Sequence, residues 1–211
     1  MKLLALPLLA FALLAATPAP EPSALPINPP AEVAANPANK LILQLSNGGT
    51  VVILMRPDAA PQQVERIQTL VRQGFYDGTI FHRVIPGFMA QGGDPTGTGE
   101  GGSKLPDLKA EFNSLPHLRG TVAAARAESK DSANSQFYIM FGPRASLDHN
   151  YTVFGRVISG MDAVDKIAPG EPPHDPTKIV HASLGDGSAP AAPVEKPAAV
   201  PAPVAGSTPG K

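Results

Sequence analysis

Apolar and polar side chains alternate at a period of two over residues 41–45 and return to an extended pattern over 50–55. Between them, Ser46-Asn47-Gly48-Gly49 are turn formers, so a β-hairpin is expected. The period then lengthens. Within 60–73, Val64, Ile67, Leu70 and Val71 fall at helical spacing, Pro61 lies in the first turn and Gly74 follows as a stop, which predicts one amphipathic helix. Tyr76-Asp77-Gly78 turns the chain into an extended run at 80–84. Further runs at 121–125, 137–140, 152–158 and 178–184 read as strands, and 161–167 as a second, shorter helix. Many short strands with two helices predict a mainly β domain, a closed antiparallel barrel with helices over its ends.

Residues 81–94, F-H-R-V-I-P-G-F-M-A-Q-G-G-D, are the centre of this pattern. Pro86-Gly87 bends the chain between two short extended runs. By the period of two, Phe81 and Arg83 share one face of the first run, and Phe88 opposes Met89 in the second, with a bulge or bend needed to re-aim some of them. Taken singly, the Phe, Met and Val residues read as core. Arg83 and Gln91 do not. An arginine set among Phe81, His82, Val84 and Ile85 either pairs with a carboxylate or points into a cleft, because such a group is rarely buried unpaired.

The ends of the chain differ from its middle. Met1-Lys2 followed by the apolar run 3–16, with Ala16 or Ala19 as small-residue cleavage positions, is expected to be a secretory signal. Fourteen residues are short for a bilayer span of about 20, so a retained anchor is the alternative reading. An exported protein is expected, periplasmic or secreted. Residues 17–39 and 185–211 are rich in proline and alanine and are expected to be a linker and a disordered tail around a domain at 40–184. The tail could also serve as a proline-rich ligand.

Composition narrows the chemistry. The 211 residues carry 17 Lys plus Arg against 18 Asp plus Glu, a net charge of −1, so no global field draws the chain to nucleic acid. There is no cysteine, which removes disulfides, thiolate metal sites and a cysteine nucleophile. Gly97, Gly99 and Gly102 satisfy G-x-G-x-x-G, but the flanking prolines, Pro95 and Pro106, leave no strand-turn-helix to cradle a phosphate. The five histidines, at positions 82, 117, 149, 174 and 181, show no paired metal spacing. Arg126, Glu128, Lys130 and Asp131 read as a solvated loop, with a role in substrate selection as the alternative. No metal or cofactor is expected.

The run 81–94, with G-T-G-E-G-G at 97–102, S-Q-F-Y-I at 135–139 and V-F-G-R-V at 153–157, closely resembles the cyclophilins, which are peptidyl-prolyl cis-trans isomerases. The likeness covers 40–184 and implies an eight-stranded barrel. It also implies roles: Arg83, with Phe88 and Gln91, at the catalytic centre; Met89, Tyr138 and Leu147 beside Phe88 in the wall of a proline pocket; Ala125, Gln136 and Tyr151 along a substrate groove. The chain departs from common members at Tyr138, Arg126 and Tyr151. At Ser146 the best-known eukaryotic members carry a tryptophan. The expected partners are proline-containing segments of exported proteins, bound by a monomer. The same groove without catalysis would serve a peptide-binding or chaperone module, since binding proline needs the pocket but not Arg83.

Overall fold

A computed structural model describes residues 24–188. The expected signal at 1–16, the first part of the expected linker and nearly all of the tail lie outside the described residues. The chain order is α1 (Ala31–Ala35), β1 (Lys40–Leu45), β2 (Thr50–Met55), α2 (Pro61–Arg72), β3 (Ile80–Ile85), β4 (Met89–Asp94), β5 (Thr121–Ala124), β6 (Phe137–Met140), β7 (Val153–Ser159), α3 (Met161–Val164) and β8 (Ile179–Leu184).

The eight strands form one antiparallel, curled sheet in the order β3-β4-β6-β5-β7-β2-β1-β8. The expected barrel is met in part. Its edge strands meet at a single bridge, Ile80 to Lys178, supported by Gly78 N–H donating to the Ile179 carbonyl and Phe81 N–H to that of Thr177, at 2.7 and 2.9 Å. No full β3–β8 ladder is present. The described residues also hold three α-helices, not two.

Each face of the sheet buries its own apolar cluster. Inside the curl, Leu41, Leu43, Ile53, Phe81, Ala90, Phe137, Ile139 and Phe154 meet Val64, Ile67, Leu70 and Val71 of α2. Outside it, Met89, Ala123, Ala125, Tyr138, Met140 and Val153 form a second cluster. Alternation puts neighbours such as Phe137 and Tyr138 into different clusters. Helix α2 has no side-chain cap of its own at Ala60. The Glu111 carboxylate serves instead, accepting from Gln62 N–H and Gln63 N–H at 3.0 and 2.9 Å, where the positive end of the helix favours an anion.

The extended linker expected over 17–39 is corrected from its middle onward. Helix α1 and a 3-10 turn, Pro37–Asn39, hold Val33 and Asn39 buried, and Asn39 Nδ2 donates to the Val33 carbonyl. Further upstream, buried Arg56 binds the chain down: Nη1 donates to the Ile27 carbonyl and Nη2 to that of Pro26, both at 3.1 Å, while Asp58 takes Nε. Proline content hid this, because the buried groups are few and widely spaced.

Candidate active site

Strands β3 and β4 form a hairpin turned at Gly87, whose φ of 72° suits glycine, and Phe88 N–H closes the turn on the Ile85 carbonyl. The ladder sets Arg83 opposite Gln91 but Phe81 opposite Gly92, so His82 is the extra residue of a bulge. The bulge corrects the expectation that Phe81 and Arg83 share a face. Phe81 is wholly buried in the inner cluster, with its ring edge-on to Phe137, whereas the Arg83 side chain is 41% exposed on the outer side. His82 is buried and its ring nitrogens have no partner among the described residues. Burial, reinforced by Arg83, lowers its pKa against the pull of Asp94, so it stays neutral beside the arginine.

On the outer side Arg83, Phe88, Met89, Gln91, Ala125, Arg126, Tyr138, Leu147 and Tyr151 line one cavity of about 150 Å³. Of the nine expected site residues, eight are in this lining. The ninth, Gln136, lines an adjoining cavity of about 500 Å³ that shares Gln91, Ala125 and Arg126. Gln136 still reaches the first cavity indirectly. Its Oε1 accepts from Gln91 Nε2 at 2.9 Å, and its own Nε2 donates to the Gly99 and Gly101 carbonyls, which fixes the orientation of Gln91.

The walls follow from the strand registers. Gln91 faces Tyr138 across β4 and β6, Ala123 faces Tyr138 across β5 and β6, and the small alanines leave the depression beside the larger rings. Tyr138 and Tyr151 meet edge to face at 5.8 Å. The Arg126 guanidinium lies 4.7 Å over the Tyr151 ring, and that of Arg144 lies 4.9 Å over Phe88. Arg126, expected in a solvated loop with substrate selection as the alternative, is therefore part of the cleft.

Three further groups escaped the sequence reading. His117, fully buried, has Nε2 3.0 Å from the Tyr138 hydroxyl and Nδ1 2.9 Å from Asp148 Oδ1. A carboxylate only accepts, so Nδ1 carries the proton and Nε2 accepts from Tyr138. Burial lowers the His117 pKa and raises that of Tyr138, which keeps both neutral. Glu171 is the third: its Oε2 accepts from Arg83 Nε at 2.7 Å. Spacing gave no signal for either contact, because the partners lie 21 and 88 residues apart in sequence.

The glycine-rich loop binds a carboxylate of its own chain. Asp94, buried at the end of β4, accepts from Thr96 N–H and Thr96 Oγ1 with one oxygen and from Gly99 N–H and Gly101 N–H with the other. A Cβ at Gly101 would lie 2.0 Å from Asp94 Oδ1. Among the described residues no group of three or more His, Cys, Asp or Glu is placed to hold a metal ion.

Comparison with known proteins accords with this geometry. The family model "Cyclophilin type peptidyl-prolyl cis-trans isomerase/CLD" matches residues 40–184. A probable peptidyl-prolyl cis-trans isomerase of Brucella suis is 48% identical over 167 residues, covering 72% of this chain and 85% of that one. Peptidyl-prolyl cis-trans isomerase A of Dickeya dadantii is 43% identical over 133 residues, 60% of this chain and 70% of that one. Among solved structures, a cyclophilin from Hirschia baltica superposes with a TM-score of 0.66 at 30% identity, covering 71% of this chain and 74% of its own. A Cryptosporidium parvum cyclophilin-type isomerase, solved in the presence of the dipeptide ala-pro, gives 0.64 at 27% identity, covering 69% of this chain and 98% of its own. The chain belongs to the cyclophilin family of peptidyl-prolyl cis-trans isomerases.

Proposed function

We propose that this isomerase accelerates rotation about X-Pro bonds in exported proteins as they fold, acting as a monomer, with Arg83 stabilising the twisted amide. The barrier of about 18–20 kcal/mol arises from partial double-bond character, so no bond needs to break. A donor aimed at the prolyl nitrogen binds the pyramidal, deconjugated state better than the planar one, which is the condition for catalysis. Arg83 suits this because a guanidinium stays charged and presents a rigid fork of donors.

The observation that carries the reading is the state of that fork. Only Nε is engaged by the protein; the two Nη nitrogens have no protein partner among the described residues, in a side chain that lines the cavity. Phe88, Met89, Tyr138 and Leu147 offer walls for a proline ring, and Gln91, Gln136, Ala125 and Tyr151 offer contacts to the flanking chain. The Cryptosporidium parvum relative, solved with ala-pro present, supports a proline-containing ligand. Export rests on Met1-Lys2 and the apolar run behind it.

The test is Arg83→Ala in a cis-to-trans assay on a short X-Pro peptide. Removal of one transition-state donor costs roughly a hundredfold or more in rate, and no fold change is expected because the side chain is not core. Wild-type turnover by the folded variant would overturn the mechanism, and inactivity of the wild type would favour a binding module. N-terminal sequencing of exported material, expected to begin near residue 17, tests the export.

A further inference from the structure

Arg83 is a long side chain, and placing its fork over a substrate nitrogen costs rotamer entropy unless something holds it. The structure holds it from outside the cyclophilin hairpin. Gly170 is bridged to Val84 by two backbone hydrogen bonds, Val84 N–H to the Gly170 carbonyl at 2.8 Å and Gly170 N–H to the Val84 carbonyl at 3.0 Å. In an antiparallel bridge the residues on either side also face one another, so Glu171 falls opposite Arg83. That register brings Glu171 Oε2 to 2.7 Å from Arg83 Nε. The contact engages only Nε and leaves both Nη nitrogens without a protein partner among the described residues, on a side chain that lines the cavity.

Gly170 is fitted to this clamp. Its φ is 142°, and a Cβ there would lie 2.6 Å from the Pro173 Cα and 2.9 Å from the Pro172 carbonyl oxygen, both backbone atoms. Neither partner of the ion pair is buried, with side-chain exposures of 41% for Arg83 and 51% for Glu171. An exposed pair of this kind adds little to stability. Its effect is orientation: it fixes the plane of the fork at one edge while the other edge stays available.

We infer that Glu171 is a positioning residue for catalysis, holding the Arg83 guanidinium with its Nη groups presented to the cleft. This inference rests on the reading that Arg83 acts on the substrate. Glu171→Ala is expected to lower kcat about tenfold, between the few-fold worth of an exposed pair and the roughly hundredfold cost of a misplaced catalytic group, with KM changed little. Glu171→Gln keeps an oxygen acceptor and should recover most of the loss. Gly170→Ala attacks the clamp without touching either side chain of the pair and should lower kcat as well.

The deciding measurement is a double-mutant cycle on the full chain, with circular dichroism to check folding. If Glu171 works through Arg83, the Arg83→Ala, Glu171→Ala double variant turns over like Arg83→Ala alone. A Glu171→Ala enzyme as fast as wild type, or faster, overturns the positioning role while a slow Arg83→Ala leaves the arginine mechanism standing. A tenfold loss that persists in the Arg83→Ala background overturns it too, since Glu171 then acts elsewhere. A fast Arg83→Ala enzyme removes the mechanism on which the inference rests.

Discussion

The Tyr138 hydroxyl donates to His117 Nε2 at 3.0 Å, beneath the wall of the cleft, and Asp148 holds the other side of the same imidazole. This chain has tyrosine where many cyclophilins have phenylalanine, and the extra oxygen completes a buried polar chain. Tyr138→Phe keeps the ring in the wall but leaves Nε2 buried without a partner. The variant is expected to lose about 1–3 kcal/mol of stability while its KM for a proline peptide changes little. Urea unfolding beside the peptide assay checks both; unchanged stability would show that the hydroxyl contributes nothing.

Asp94 is expected to contribute to the response to acid. Burial alone would raise its carboxyl, but hydrogen bonds from Thr96, Gly101 and Gly99 outweigh burial and hold it below the ordinary carboxylate range. A folded-state pKa below the unfolded value of about 3.9 gives stability that is present above that value and lost as pH falls through the folded one. Asp94→Asn presents an amide to backbone donors and should be less stable at neutral pH by about 1–3 kcal/mol. Its stability should also fall less steeply below about pH 5. Urea midpoints for both proteins at pH 7 and pH 4 test this, and parallel losses would rule Asp94 out as the source.

Ser146 is exposed in the 3-10 turn Ala145–Leu147, next to the cavity residue Leu147. By resemblance, a tryptophan there gives a broad apolar wall and an N–H donor to the inhibitor cyclosporin. An aromatic side chain buries about 150–250 Å², and a fraction of that area at about 25 cal/mol per Å² amounts to one or more kcal/mol. With a hydrogen bond of roughly 0.5–1.5 kcal/mol, Ser146→Trp should strengthen inhibition by about tenfold to a thousandfold. Turnover should not rise in step. Equal inhibition constants for the two proteins would show that this position does not set the affinity.

Most of the sheet was legible in the chain because its strands alternate or run apolar and its turns carry Gly, Pro and Asn. The cleft was legible through motif likeness, and Arg83 and Gln91 through their polarity in apolar surroundings. What escaped has a physical reason in each case. One inserted residue, His82, inverts the face that counting by twos assigns to Arg83. Glu171 sits in an aperiodic Pro-Gly-Glu-Pro-Pro stretch and reaches Arg83 only through the Val84 bridge. Leu25, packed against the outer cluster, and Asn39 lie in a proline-rich stretch whose composition conceals specific docking.

The pairing of β1 with β8 sets when this domain can form. Leu41 lies opposite Leu184, so the first strand of the sheet finds one of its two neighbours only in the last. On a chain made or threaded N-terminus first, Leu41, Leu43 and Leu45 lack that cover until residues 179–184 arrive. Such non-local closure is slow compared with local pairing and leaves strand edges open in the interval. Assembly is thereby postponed until β8 has been made, and a nascent chain stopped short of Ile179 presents an incomplete sheet with β1 as a free edge.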